Sequence, residues 1–171
     1  MNLVKALLKE HSKAQCNRIV EYIGTDKDRF RELVDVFITG NYRINQRAAW
    51  PLSYCVEYNP ELIKPHLKKL INNLKRADPH NAVKRNTVRL LQFISIPKSI
   101  QGVAAQVCFD FLQNRKEAIA VRVFSMTVLA NIAKDQPALK SELKITIEDN
   151  MPCGSAGFVS RSRKILKELK E

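Results

Sequence analysis

Residues 42–74, YRINQRAAWPLSYCVEYNPELIKPHLKKLINNL, decide the fold. Ile44, Ala48, Leu52 and Cys55 recur at helical spacing, and Leu62, Leu67, Leu70, Ile71 and Leu74 do the same after Asn59-Pro60. Such stripes mark helices with one buried face, and Asn-Pro offers a cap followed by a residue suited to the first helical position. The stretch therefore predicts two helices joined by a tight turn, with Pro65 in or near the first turn of the second. The same grammar returns in HNAVKRNTVRLLQFISIPKSIQGVAAQVCFDFL, residues 80–112, and in EAIAVRVFSMTVLANIAKDQPALKSELKITIEDN, residues 117–150. Leu52, Leu90, Val128 and Leu166 stand 38 residues apart at each step, and Pro60, Pro97 and Pro137 follow at intervals of 37 and 40. Self-similarity at this period marks a helical repeat array, in which each unit buries its stripe against its neighbours.

Outward from this template the chain stays helical. Leu3, Leu7 and Leu8 share one face of a short helix over 2–10, and Ser12 caps a second carrying Cys16, Ile19, Val20 and Ile23. Gly24-Thr25 stops it; Thr25 or Asp26 caps a third with Phe30, Leu33, Val34 and Phe37, ended by Gly40. Pro51 falls inside the Tyr42–Tyr58 helix, removes the bond to the Arg47 carbonyl and predicts a kink. Downstream, Val83, Thr87, Leu90, Leu91 and Ile94 face inward, and Pro97 opens a partner helix bearing Val103, Val107, Cys108, Phe111 and Leu112. Val121, Phe124, Val128, Leu129 and Ile132, then Leu139, Leu143 and Ile147, build the third unit. Cys153-Gly154-Ser155 reads as a loop and cap before a last helix with Phe158, Ile165, Leu166 and Leu169. No segment alternates with period two, so no strand is expected. The expectation is an all-α single domain of about ten helices in stacked pairs. Residues 1–40 form cap helices and a first half-repeat, 41–150 three repeat units, and 151–171 a capping helix.

Composition bounds the partners. The chain has 171 residues, 45% hydrophobic and 27% charged, which suits one soluble domain. Its 29 basic residues against 17 acidic give a net charge of +12, which favours polyanionic partners and says nothing about fold. Cys16, Cys55, Cys108 and Cys153 are widely separated, as are His11, His66 and His80, so no metal-ligand spacing occurs and no cofactor is expected. Lys5 and Lys9 interrupt the N-terminal apolar run, which reads as an amphipathic helix rather than a signal peptide, and no stretch is long enough to span a bilayer. A cytoplasmic location is the default expectation. No Gly-rich phosphate loop, GxSxG, HExxH or local Cys-His couple is present, and no enzyme is expected.

The segment NPELIKPHLKKLINNL, followed one loop later by HNAVKRNTVRLLQFI, resembles HEAT and armadillo-type repeats over about residues 26–171. The resemblance implies a right-handed superhelix whose second helices line a concave surface, and a scaffold that binds a protein or peptide. Arg47, Arg85 and Arg161 fall at equivalent places in three second helices, separated by 38 and 76 residues, and Arg122 lies one residue early in the unit between. Helical spacing sets Arg85, Arg89 and Gln92 on one exposed face; the corresponding earlier row is Arg47, Trp50 or Pro51, and Tyr54, and Lys84, Arg89 and Arg163 are candidates that a repeated structural role explains less well. Planar guanidinium groups suit phosphates and carboxylates, and Trp50 and Tyr54 can stack on a base or hold a peptide side chain. A structural ladder is the competing reading. In the resembling family such arginines tether the turn between paired helices, and Asn41, Asp78 and Asn114 stand upstream to receive Arg47, Arg85 and Arg122. The alternative to a protein-binding adaptor is a basic nucleic-acid-binding solenoid, distantly like the HEAT-like DNA alkylation-repair proteins. Trp50, Pro51 and Tyr54, which only this unit holds, are the first places to look for function.

Overall fold

The computed structural model describes residues 1–76 and 80–170. These residues form ten α-helices and two short 3-10 segments, with no strand among the described residues. The chain divides into two compact units, residues 1–86 and 87–171.

The first unit opens with α1 (Leu3–Lys9), α2 (Lys13–Ile23), α3 (Lys27–Thr39) and α4 (Tyr42–Tyr58). Each start is capped by a side chain that accepts from an otherwise unsatisfied amide of the first turn. Asn2 accepts from Lys5, Ser12 from Gln15, Asp26 from Asp28 and Arg29, and Asn41 from Ile44. Gly24 ends α2 at φ +51°, a left-handed conformation that glycine adopts without steric penalty. α4 packs against α1, α2 and α3, and it runs on through the buried Pro51 to Tyr58. Phe30, Leu33, Val34, Phe37, Leu52, Ile63 and Leu67 are completely buried in this unit.

The helix expected from Pro60 to Leu74 has two parts. Residues Pro60–His66 form a 3-10 helix, and only Leu67–Leu74 form α5. Pro65 has no N–H for the Glu61 carbonyl and its ring crowds that carbonyl, so the tighter i→i+3 pattern carries the chain until both prolines are passed. Asn59 makes no side-chain cap here, although Pro60 does occupy the first position.

The unit boundary falls within α6 (Asn81–Leu91). In the second unit follow α7 (Lys98–Gln113), α8 (Ile119–Asp135), α9 (Leu139–Asn150) and α10 (Ala156–Glu168), the last capped by Ser155. α8 packs against α7, α9 and α10. Val128 of the 38-residue series is fully buried and Leu90 nearly so, whereas Leu166 is half-buried and its neighbour Ile165 takes the core place. Ile94 lies beyond the end of α6, in a turn, and Ile96 is buried instead. On α7 the buried face is Gln101, Ala104, Ala105, Val107, Cys108, Phe109 and Leu112, so Val103 points outward and Phe111 is only half-buried. Gln101 turns the helix this way: its Nε2 donates to the Ile96 carbonyl at 3.0 Å and to Asp135 at 2.8 Å, and its Oε1 accepts from Gln136 at 2.7 Å.

Candidate functional site

The nine residues expected to line a groove separate into two groups. Arg47 is half-buried, and its Nη1 donates to the carbonyls of Leu7 at 2.9 Å and Leu8 at 3.1 Å. These are carbonyls of the last turn of α1, which the helix itself leaves without donors. Asn41, expected to receive Arg47, is occupied as the cap of α4. Trp50 is half-buried beside it and meets the His11 ring edge-on, with centroids 5.3 Å apart. Arg47 and Trp50 therefore hold the α1–α2 turn against α4.

Arg122 is a core residue, only 7% exposed. Its Nε donates to the Leu112 carbonyl at 3.1 Å and its Nη2 to Asn150 Oδ1 at 2.8 Å, while the guanidinium lies 4.5 Å over the Phe158 ring. Burial and, after it, the neighbouring Arg115 hold its pKa below the ordinary arginine value. It does not face a groove. Its tether is Asn150 rather than Asn114, whose side chain accepts from the Lys116 amide.

Gln92 follows the end of α6 and is likewise engaged. Its carbonyl accepts from Asn131 at 2.9 Å, its Nε2 donates to the Arg89 carbonyl at 3.2 Å, and its Oε1 receives Arg161 at 3.4 Å. Arg161 also donates to Thr127 Oγ1 at 2.6 Å. A cleft of about 340 Å³ nearby is lined by Gln92, Phe93, Gln101, Asn131, Lys134 and Asp135. Its Gln101 and Asn131 amides are bonded to the Ile96 and Gln92 backbone carbonyls, and Gln101 also to the Asp135 carboxylate.

The second group holds two open arginines. Arg85 and Arg89 are exposed, and among the described residues no side-chain hydrogen bond or ion pair holds either one. Lys84 is half-buried. Asp78, the expected partner of Arg85, lies outside the described residues. Tyr54 is half-buried and stacks on Tyr58, with centroids 6.1 Å apart and planes within 15°. Tyr58 is 73% exposed and escaped the sequence reading, although its place one turn after Tyr54 was the available signal. Tyr42, 54% exposed at the start of α4, contacts the His80 ring at 4.5 Å, which sets the start of α6 beside that of α4.

A family model for a HEAT repeat domain matches residues 3–169. The chain belongs to the HEAT repeat family. No curated protein and no solved structure matches it. As a HEAT repeat protein it is a helical scaffold of the binding kind. Among the described residues no three His, Cys, Asp or Glu side chains gather as ligands for a metal ion, and no helix is long and apolar enough to cross a membrane. HEAT membership covers nearly the whole chain, including the first helices that the sequence resemblance began only at residue 26.

Proposed function

We propose that this HEAT repeat protein is a non-enzymatic adaptor that takes a protein or peptide partner on α4. The observation that carries this reading is the Tyr54–Tyr58 pair, stacked along the helix with Tyr58 largely exposed. The same unit also exposes arginine, at Arg43 near the start of α4 and at Arg85 on α6. Tyrosine and arginine are the residue types that dominate binding energy at protein interfaces, because each joins a broad apolar surface to a directional polar end. A stacked pair is also stiff, so little rotamer freedom is lost on binding. Arg47, Gln92, Arg122 and Arg161 do not belong to this surface, since backbone and side-chain acceptors already hold them.

The test is selection of a phage-displayed random peptide library on the immobilised protein. Enriched peptides are expected to lose about tenfold or more in affinity against Tyr58→Ser, the size of an aromatic contact above 1 kcal/mol. Arg85→Glu is expected to weaken those peptides that carry acidic residues. Failure to enrich any sequence family, or equal binding to Tyr58→Ser and the parent protein, would overturn the assignment.

A further inference from the structure

The last helix carries a charged surface of a different kind. Arg163 and Lys167 on α10, and Lys170 in the turn that follows it, recur at i, i+4 and i+7, and all three are exposed. That spacing keeps them on one stripe, which Ala156 and Ser160 continue toward the start of the helix. Among the described residues none of the three is paired with an acid. Among the described residues the ion pair on the helix is Lys164 with Glu168, at 4.0 Å, to one side. No large hydrophobic side chain of α10 is exposed; Phe158 and Ile165 are buried, and the exposed apolar residues of this unit are Phe93, Val103, Ile119 and Ile145 on other elements.

The composition of the stripe selects its partner. The core of a protein interface needs aromatic or aliphatic anchors and is depleted in lysine. An interfacial membrane helix needs an apolar face to sink below the headgroups. A phosphate backbone needs neither, because cations and small hydroxyls suffice to bind it. From Arg163 to Lys170 the row is roughly 10 Å long at 1.5 Å per residue. With one phosphate per ~3.4 Å of each strand, it spans about three phosphates.

We infer that the Arg163–Lys167–Lys170 stripe of α10 is a nucleic-acid phosphate-binding surface, separate from the aromatic face of α4. Binding here is sequence-independent and electrostatic, and it tethers the HEAT protein to a polyanion without base contacts. Each cation releases about 0.9 counterion from duplex DNA, so the stripe contributes a log–log salt slope of about −2.7. Between 50 and 200 mM salt that alone weakens binding about 40-fold.

Fluorescence anisotropy with a labelled random-sequence DNA duplex, titrated with KCl, tests this on the full chain. The triple variant Arg163→Gln/Lys167→Gln/Lys170→Gln is expected to make the salt slope shallower by about 2.7 and to lower affinity at least tenfold at 50 mM salt. Its far-UV spectrum and melting should be unchanged, because the replaced side chains are exposed. The control Lys13→Gln/Lys68→Gln/Lys98→Gln removes the same charge from other exposed positions and should retain the slope. Absence of duplex binding at 50 mM salt overturns the inference. So does an equal loss in the control, which would make net charge the whole effect. Binding of polyglutamate or of phosphatidylserine vesicles as tight as that of DNA, lost in the same triple variant, also overturns the nucleic-acid assignment. Peptide selection reads α4 independently, so either surface can fail while the other stands.

Discussion

Replacing Arg122 separates a structural arginine from a ligand-binding one. Arg122→Ala removes two hydrogen bonds from a charged donor, to the Leu112 carbonyl at 3.1 Å and to Asn150 Oδ1 at 2.8 Å, and the contact over Phe158. Bonds to charged groups contribute about 1.5–3 kcal/mol each, and a desolvated cation–π contact about 2 kcal/mol. Opposing this, the variant no longer buries a cation whose partners, the Leu112 carbonyl, Asn150 and the Phe158 ring, are neutral, which recovers several kcal/mol of desolvation. What the variant cannot recover is the solvation of the Leu112 carbonyl and of Asn150, and it leaves a cavity where the side chain lay. The net expectation is destabilisation by about 2–4 kcal/mol, or roughly 4–16 °C in melting temperature for a chain of this size. Differential scanning calorimetry measures it. Arg122→Lys keeps the charge but not the two-directional reach and should fall nearly as far. In a double-mutant cycle with Asn150→Leu, the two losses should couple by more than about 0.5 kcal/mol. An Arg122→Ala variant within about 0.5 kcal/mol of the parent, or additivity with Asn150→Leu, would refute the tether.

Glycine and cysteine positions give two further tests. A Cβ at Gly102 on α7 meets nothing within 4 Å, so Gly102→Ala should stabilise by about 0.5–1 kcal/mol in urea denaturation. A Cβ at Gly154 would stand 2.7 Å from Phe158 Cδ1 and 3.2 Å from the Met151 carbonyl, so Gly154→Ala should destabilise by about 1–3 kcal/mol. Burial pushes the thiols of Cys16 to about 11 and of Cys55 and Cys108 to about 12, whereas Cys153 is exposed. At pH 8 a thiol-specific disulfide reagent should therefore label one of the four cysteines quickly and the other three only on unfolding. Fast labelling of two or more in the native state would contradict the packing of α2, α4 and α7.

The helices were legible because each buries a single stripe, and stripe spacing is a property of the sequence itself. Ser12, Asp26 and Ser155 were legible as caps for the same local reason: each bonds within three residues of its own position. The 3-10 segment was not, because spacing of Leu62, Leu67 and Leu70 is compatible with both helix types and only the geometry around Pro65 decides. On α7 the run GVAAQVCFDFL offers two apolar faces, and the choice falls to Gln101, bonded to Asp135 and Gln136 more than thirty residues away. The arginines were the hardest. Three of their acceptors are backbone carbonyls, at Leu7, Leu8 and Leu112, and every residue carries a carbonyl, so no side-chain pattern points to them. The open residue Tyr58 was legible in principle but not from repetition, which highlights what units share, whereas Arg163 stood out because no repeated role accounts for it.

A common rule governs these hidden partners. Gln15 donates to the Ala6 carbonyl, Asn45 to Phe37 and Arg122 to Leu112, each reaching back eight to ten residues to a carbonyl in the last turn of the preceding helix, while Gln101 reaches back to Ile96 in the loop before its own helix. The last turn of any helix leaves carbonyls without donors, and burying them against the next helix would leave them unsatisfied. A long polar side chain in the first half of the following helix answers this and, because its reach is fixed, also sets the register of the pair. Glutamine and asparagine satisfy one such carbonyl. Arginine can satisfy one and still tie a further element, as Arg122 does by bonding Asn150 at the end of α9. A recurring arginine in this array can thus be structural, as Arg47 and Arg122 are, whatever the array binds, while Arg85 at an equivalent place stays exposed. Ligand-binding cations are to be sought among those that no such tether holds, and Arg163, Lys167 and Lys170 meet that condition: they are exposed and, among the described residues, lie outside every such tether.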